Sequence, residues 1–151
     1  MPSVANSHDL GAYSNPDGVP KTRSSVVVYL DVLGFTASIR EAHERRESDA
    51  LLQRFAAVVN EWYGTAGVMR DRRAQKERRG RRWEVKAFTD NLVLAKPIGR
   101  DPDGEVELGS AFADVALFQL ALAEHGFFVR GGIAVGEAYV DEAMVYGTAI
   151  L

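Results

Sequence analysis

The sequence predicts an α+β domain in which an antiparallel sheet carries its helices on one face. Three observations lead there. The elements follow in the order β-α-α-β-β-α-β-β, with two extended runs in the middle separated by a short polar break. The apolar runs rich in Val, Leu and Phe are too short for helices and are bounded by turn residues. Between them lies one stretch of apolar residues at helical spacing, Leu51, Leu52, Phe55, Val58, Val59 and Trp62. A chain of 151 residues with 46% hydrophobic and 26% charged residues has the composition of one soluble globular domain.

In chain order, residues 1–23 are rich in Ser, Asn, Gly, Pro and Asp without periodicity, and are expected to form a mobile tail ahead of a domain over 24–151. Val26 to Leu30 reads as a strand buried on both faces, with Asp31 at its end. Gly34 makes a turn, and Thr36 is a plausible N-cap for a short helix from Ala37 to Arg46. Ser48 caps a second helix with Asp49 in its first turn, and Gly64 suits its C-cap. Residues 83–88 and 91–98 read as a hairpin with Asp90 at its tip. The Gly, Pro and Asp content of residues 99–109 predicts a loop. A third helix is expected from Ser110 to Glu124, well buried because Phe112, Val115, Leu117, Phe118, Leu120 and Leu122 cover a wide arc. FFVRGGIAV gives a strand interrupted by Arg130, and EAYV begins another. This order matches a ferredoxin-like or palm-type sheet. The spacing of Gly131, Gly132 and Gly136 excludes a P-loop.

Charge is unevenly spread. Residues 70–82 hold eight Arg or Lys against two acids, a local +6, whereas the remainder carries ten basic and nineteen acidic groups. Such an arm is either a solvated charged loop or an attractor for a polyanion. Cysteine is absent, and His8, His43 and His125 are scattered, so a metal site would use oxygen ligands, which points to Mg²⁺ or Mn²⁺. No stretch approaches the roughly 20 apolar residues of a membrane span. With no hydrophobic segment in residues 1–23, a cytoplasmic protein is expected.

The candidate chemistry centres on Asp31 and Asp90, each at the end of an expected strand of one sheet. If those strands are neighbours, the two carboxylates converge and call for a cation between them. Spacing alone favours ordinary turn or cap aspartates. Arg130, on a face with Phe128, Gly132 and Ala134, is either a phosphate ligand, a dimer brace or half of a structural ion pair. Tyr29 shares a face with Asp31 and reads first as a core tyrosine, second as a pocket wall.

Four segments in order resemble the class III nucleotidyl cyclases: DVLGFTASI their first signature, VKAFTDNLVLA their lysine-x-x-Gly-Asp hairpin, FFVRGGIAVGEAYV their Arg-x-Gly-Ile strand, and VYGTAI the segment that opens their next helix. The resemblance covers residues 26–151. It implies that Asp31 and Asp90 bind two Mg²⁺ or Mn²⁺ ions with the backbone carbonyl of Val32, and that Gly34, Phe35 and Thr36 receive the phosphates. It also implies a head-to-tail homodimer with sites at the interface, and attack of a ribose 3′-hydroxyl on the α-phosphate.

Several positions depart from the family pattern. Thr89 replaces the usual Gly before the second Asp. Lys86 matches the lysine with which adenylyl cyclases read the base, but its partner acid is replaced by Met144, and a guanylyl cyclase would carry Glu at position 86. In a strand Lys86 lies about 13 Å from Asp90, so the two would not simply pair. An exposed strand lysine is an equal alternative. Leu151 stands where mammalian-type enzymes have an Asn, and the Arg expected a turn later lies beyond it, so a domain truncated at its C-terminus is expected.

The mixture is most similar to the pyrimidine cyclases of bacterial Pycsar antiphage systems. That similarity implies UTP or CTP as substrate and cUMP or cCMP as a messenger to a cyclic-nucleotide-sensing effector that the protein does not contact. An adenylate cyclase and a catalytically inactive, nucleotide-binding regulatory domain are the alternatives. A nucleic-acid-binding module using the basic arm ranks last, because the aromatic signature of such a surface is missing.

Overall fold

The computed structural model describes residues 12–15, 17–67, 83–99, 104–141 and 143–150. Its elements are β1 (Arg23–Val32), α1 (Phe35–Glu44), α2 (Ser48–Gly67), β2 (Glu84–Phe88), β3 (Asn91–Pro97), α3 (Gly104–Glu124), β4 (Val129–Val140) and β5 (Val145–Tyr146), followed by a 3-10 turn (Thr148–Ile150). The fold is therefore α+β, with five strands in the order β2-β3-β1-β4-β5 and every neighbouring pair antiparallel. Each helical connection skips one strand: β1 leads through α1 and α2 to β2, and β3 leads through α3 to β4. Both crossovers thus enclose a central strand and leave the three helices on one face.

That face holds the main core. Val26, Val28, Leu30 and Val32 alternate along β1 toward the helices, and Leu92 and Leu94 of β3 join them. Phe35 and Ala42 of α1, Leu51, Phe55, Val58 and Trp62 of α2, and Ala111, Val115, Phe118 and Leu122 of α3 close over this surface. Trp62 stacks on Phe118 with ring centroids 4.4 Å apart and lies 6.0 Å from Trp83. The indole N–H of Trp83 donates to Asp114 Oδ2 at 2.9 Å, so its one polar atom is satisfied on burial.

The opposite face is covered by the described residues over half its length only. Val27, Val93 and Ala95 pack there beneath Ala12, Tyr13, Ala138, Tyr139 and Val140. The expected mobile tail departs from the structure over its described residues. Tyr13 is 1% exposed, donates to Ser25 Oγ at 3.0 Å and meets Tyr139 edge-on, and burial pushes its phenol well above the ordinary tyrosine range.

Other expectations shift for identifiable reasons. The first strand is 10 residues long, because Ser25 finds partners on both sides, Pro97 and Gly136. It is buried on both faces only from Ser25 to Val28, since Ser24 is exposed and Tyr29 is 48% exposed. Thr36 does not cap α1. Gly34 does so in the left-handed conformation (φ 71°) that glycine adopts without penalty, which starts the helix at Phe35. Gly64 lies inside α2 rather than beyond it, and α3 begins at Gly104, so residues 104–109 of the expected loop are helical.

Helix α3 also buries less than its composition suggests: Phe112, Leu117 and Leu120 point away from the core and are exposed. The expected break after Val135 is absent. β4 runs unbroken for 12 residues, and Gly136 marks a close approach, since a Cβ there would lie 3.2 Å from the Ala149 methyl. The hairpin and α2 stand close to where the sequence puts them, and the basic arm over 70–82 lies outside the described residues. Among the described residues no helix is long and apolar enough to cross a membrane.

Candidate functional site

One end of the sheet brings the chemically interesting residues together. The last residues of β1, the tight turn into α1, the tip of the β2–β3 hairpin and the first residues of β4 all meet there. Strand register fixes a row across four strands, Phe88–Asn91–Asp31–Arg130, in which each residue faces its neighbour directly and all four share the open face. Two backbone bonds tie the turns to one another. Val32 N–H donates to the Asp90 carbonyl at 2.7 Å, and Leu33 N–H to the Phe128 carbonyl at 2.8 Å.

The hairpin turn consists of Thr89 and Asp90 alone, and Thr89 takes a positive φ of 50°. A two-residue hairpin turn commonly requires that conformation at its first position, where glycine is the easy choice. A β-branched residue is strained there. The Thr89 hydroxyl donates to Asp90 Oδ1 at 2.8 Å, and the Asn91 amide donates to the same oxygen at 2.8 Å. The two carboxylates are therefore held differently. Asp31 Oδ2 accepts from Arg130 Nε at 2.8 Å, a charge-assisted bond across adjacent strands. Asp31 Oδ1 and Asp90 Oδ2 have no hydrogen-bond donor among the described residues.

A cleft of about 500 Å³ opens at this point. It is lined by Asp31, Val32, Gly34, Phe35, Thr36, Asp90 and Arg130, all singled out from the sequence, and by Arg40, which was not. Arg40 follows Thr36 by four residues on α1, so helical spacing alone would have brought it to the same face. Two carboxylates face two guanidiniums, and the N-terminus of α1 adds backbone N–H groups and the positive end of its dipole.

The remaining sequence candidates fall elsewhere. Lys86 shares the open face but lies on the outer strand β2, opposite Val93, and does not line the cleft. Met144 is 54% exposed and gives its N–H to Asp141 Oδ1 at 2.7 Å, also outside the cleft. Tyr29, read as a core residue, stands on the open face one row below Asp31, with its hydroxyl bonded to Asn91. Of the three readings of Arg130, the ion pair is the one present, and its partner is Asp31 itself.

Among the described residues no three His, Cys, Asp or Glu converge; a cation held in this cleft would have the carboxylates of Asp31 and Asp90 as its acidic ligands. That all-oxygen set fits a magnesium-like ion, which keeps several coordination positions for water and phosphate oxygens. No protein-family model matches the chain, and a search of curated proteins finds no match either.

Proposed function

We propose that the protein is a metal-dependent nucleotidyl cyclase of the class III type, which converts a nucleoside triphosphate, UTP or CTP by preference, to a 3′,5′-cyclic nucleotide and pyrophosphate. One observation carries this reading: Asp31 and Asp90, far apart in sequence, line a single cleft with Arg130 and the Gly34–Thr36 turn. The strand order β2-β3-β1-β4, with both helical crossovers skipping a strand, is that of ferredoxin-like and palm-type domains and supports the same assignment.

In this reading Asp31, Asp90 and the Val32 carbonyl would hold two Mg²⁺ or Mn²⁺ ions. Such ions lower the pKa of an attacking hydroxyl and neutralise charge on the phosphates. The chain supplies the rest. The N–H groups at the start of α1, in the Gly34–Thr36 turn, donate to the phosphate oxygens at the positive end of the helix dipole. Arg130 exchanges its bond to Asp31 for one to a phosphate oxygen, and Arg40 adds positive charge along α1. The ribose O3′ bonds to the α-phosphorus, the bond from that phosphorus to the bridging oxygen breaks, pyrophosphate leaves, and the hydroxyl proton passes to solvent.

Lys86 on the open face and Met144 in the turn from β4 to β5 both lie outside the cleft, where a base pocket completed by the second chain of a head-to-tail dimer would form. The product would serve as a second messenger to a nucleotide-sensing effector in antiphage defence. A second reading, nucleotide binding without turnover, is favoured by the engagement of Asp31 by Arg130.

The deciding experiment incubates the protein with UTP, CTP, ATP or GTP and Mn²⁺ or Mg²⁺ and identifies products by mass. Cyclic product that disappears in Asp31→Ala and in Asp90→Ala is expected, and the nucleotide consumed names the base, cAMP identifying an adenylate cyclase. Retained nucleotide binding with no product from any of the four would establish the second reading instead.

A further inference from the structure

Tyr29 is out of keeping with its strand. Val27, before it on the same face, is buried, whereas this large aromatic stands half exposed beside Asp31 and Arg130, where it contributes little to the core. What it does contribute is a hydroxyl bonded to Asn91 Oδ1.

The chemistry of each group fixes the direction of that bond. An ionised carboxylate only accepts, so the Asn91 group that faces Asp90 Oδ1 at 2.8 Å is its amide nitrogen. Asn91 then presents its carbonyl oxygen to Tyr29, and the phenol must donate. A directional chain results, Tyr29 to Asn91 to Asp90. The Thr89 hydroxyl joins it at the same carboxylate oxygen. With both donors on Oδ1, the Asp90 carboxylate is held in one rotation, and Oδ2 is the oxygen left for a ligand. Asn91 is also the register partner of Asp31, so the chain links the strand that carries one acid to the turn that carries the other.

We infer that Tyr29 and Asn91 are positioning residues that orient the Asp90 carboxylate and so set the affinity of the cleft for a divalent cation. This rests on the reading of Asp31 and Asp90 as cation ligands. Outer partners that orient a ligating carboxylate typically change metal affinity about 10–100-fold when removed. A tyrosine kept only for packing would be indifferent to loss of its hydroxyl.

The test is Mn²⁺ binding to the whole chain without nucleotide, read from the loss of the free-ion signal in electron paramagnetic resonance. Tyr29→Phe is expected to weaken binding by roughly 10-fold with an unchanged urea midpoint. Asn91→Ala should weaken it at least as much, and the double variant no further than Asn91→Ala alone, because the two act through one bond. If the wild type binds Mn²⁺ and loses it in Asp31→Ala and Asp90→Ala, while Tyr29→Phe binds like wild type, the positioning role is overturned and the cation site stands. Additive losses in the double variant would overturn the chain in the same way. If wild-type binding is absent, or indifferent to both aspartates, the cation reading falls and this inference falls with it.

Discussion

Thr89 and Arg130 each engage one carboxylate of the cleft, Asp90 and Asp31 respectively, and neither is part of the core. A β-branched residue in the left-handed region costs about 1–2 kcal/mol, whereas glycine there loses only about 0.5–1 kcal/mol of chain entropy. Both Thr89→Gly and Thr89→Val remove the hydroxyl, but only glycine removes the strain at φ 50°. Urea unfolding should therefore find Thr89→Gly more stable than Thr89→Val by about 1 kcal/mol. Arg130 is 75% exposed, so its pair with Asp31 is largely screened and adds under about 1 kcal/mol to stability. If it carries phosphate in the reaction, the same side chain matters far more to binding. Arg130→Gln should leave the urea midpoint nearly unchanged and raise KM for the nucleotide by roughly 10-fold or more, the loss of one charge-assisted hydrogen bond. Asp31, Asp90 and the Gly34–Thr36 turn stood out through the four motifs taken in order, since spacing alone favours ordinary turn aspartates. The pairing of Arg130 with Asp31 was not, because it depends on which strand lies beside β1.

At the scale of elements, β4 depends on glycine in a way that distinguishes two adjacent positions. A Cβ at Gly131 would lie 1.8 Å from the Tyr29 carbonyl oxygen, inside the β1–β4 ladder, whereas one at Gly132 would meet nothing within 4 Å. Gly131→Ala is expected to cost about 1–3 kcal/mol or more in urea unfolding, and Gly132→Ala to stay within about 0.5 kcal/mol. The turn from β4 to β5 is held by one acid. Asp141 accepts from the Tyr139 hydroxyl at 2.6 Å and from the N–H groups of Ala143 and Met144, each at 2.7 Å. These donors hold its carboxyl below the usual range, and the same bond pushes the Tyr139 phenol up to about 12.

The Asp141 contribution is complete above the ordinary carboxylate pKa and is lost as pH falls through the lowered folded value; that of Tyr139 is complete below its ordinary pKa and is lost as pH rises toward about 12. Amide shifts of Ala143 and Met144, followed by NMR, should move with acid titration in the wild type and stay flat in Asp141→Asn. None of this was legible beforehand. Helix α2 and the hairpin were read from local spacing, but β4 continues past Gly136 because Ser25, more than a hundred residues earlier, supplies its partner.

For the whole molecule, the helix-covered core is where stability is concentrated. Phe118 is fully buried against Trp62, and Phe118→Ala should lower unfolding free energy by about 3–5 kcal/mol in denaturant titration while leaving the cleft residues in place. The same core governs the site through β1, whose alternate residues lie in two different surroundings. Val26, Val28, Leu30 and Val32 go under the helices, while Tyr29 and Asp31 go to the open face. A pairing shifted by one residue would exchange those sets and drive the Asp31 carboxylate into the apolar layer, with no partner there to receive it. The acid on which the proposed chemistry depends thus also penalises a misregistered pairing of its own strand, so the residue that would serve the site helps to specify the fold that presents it.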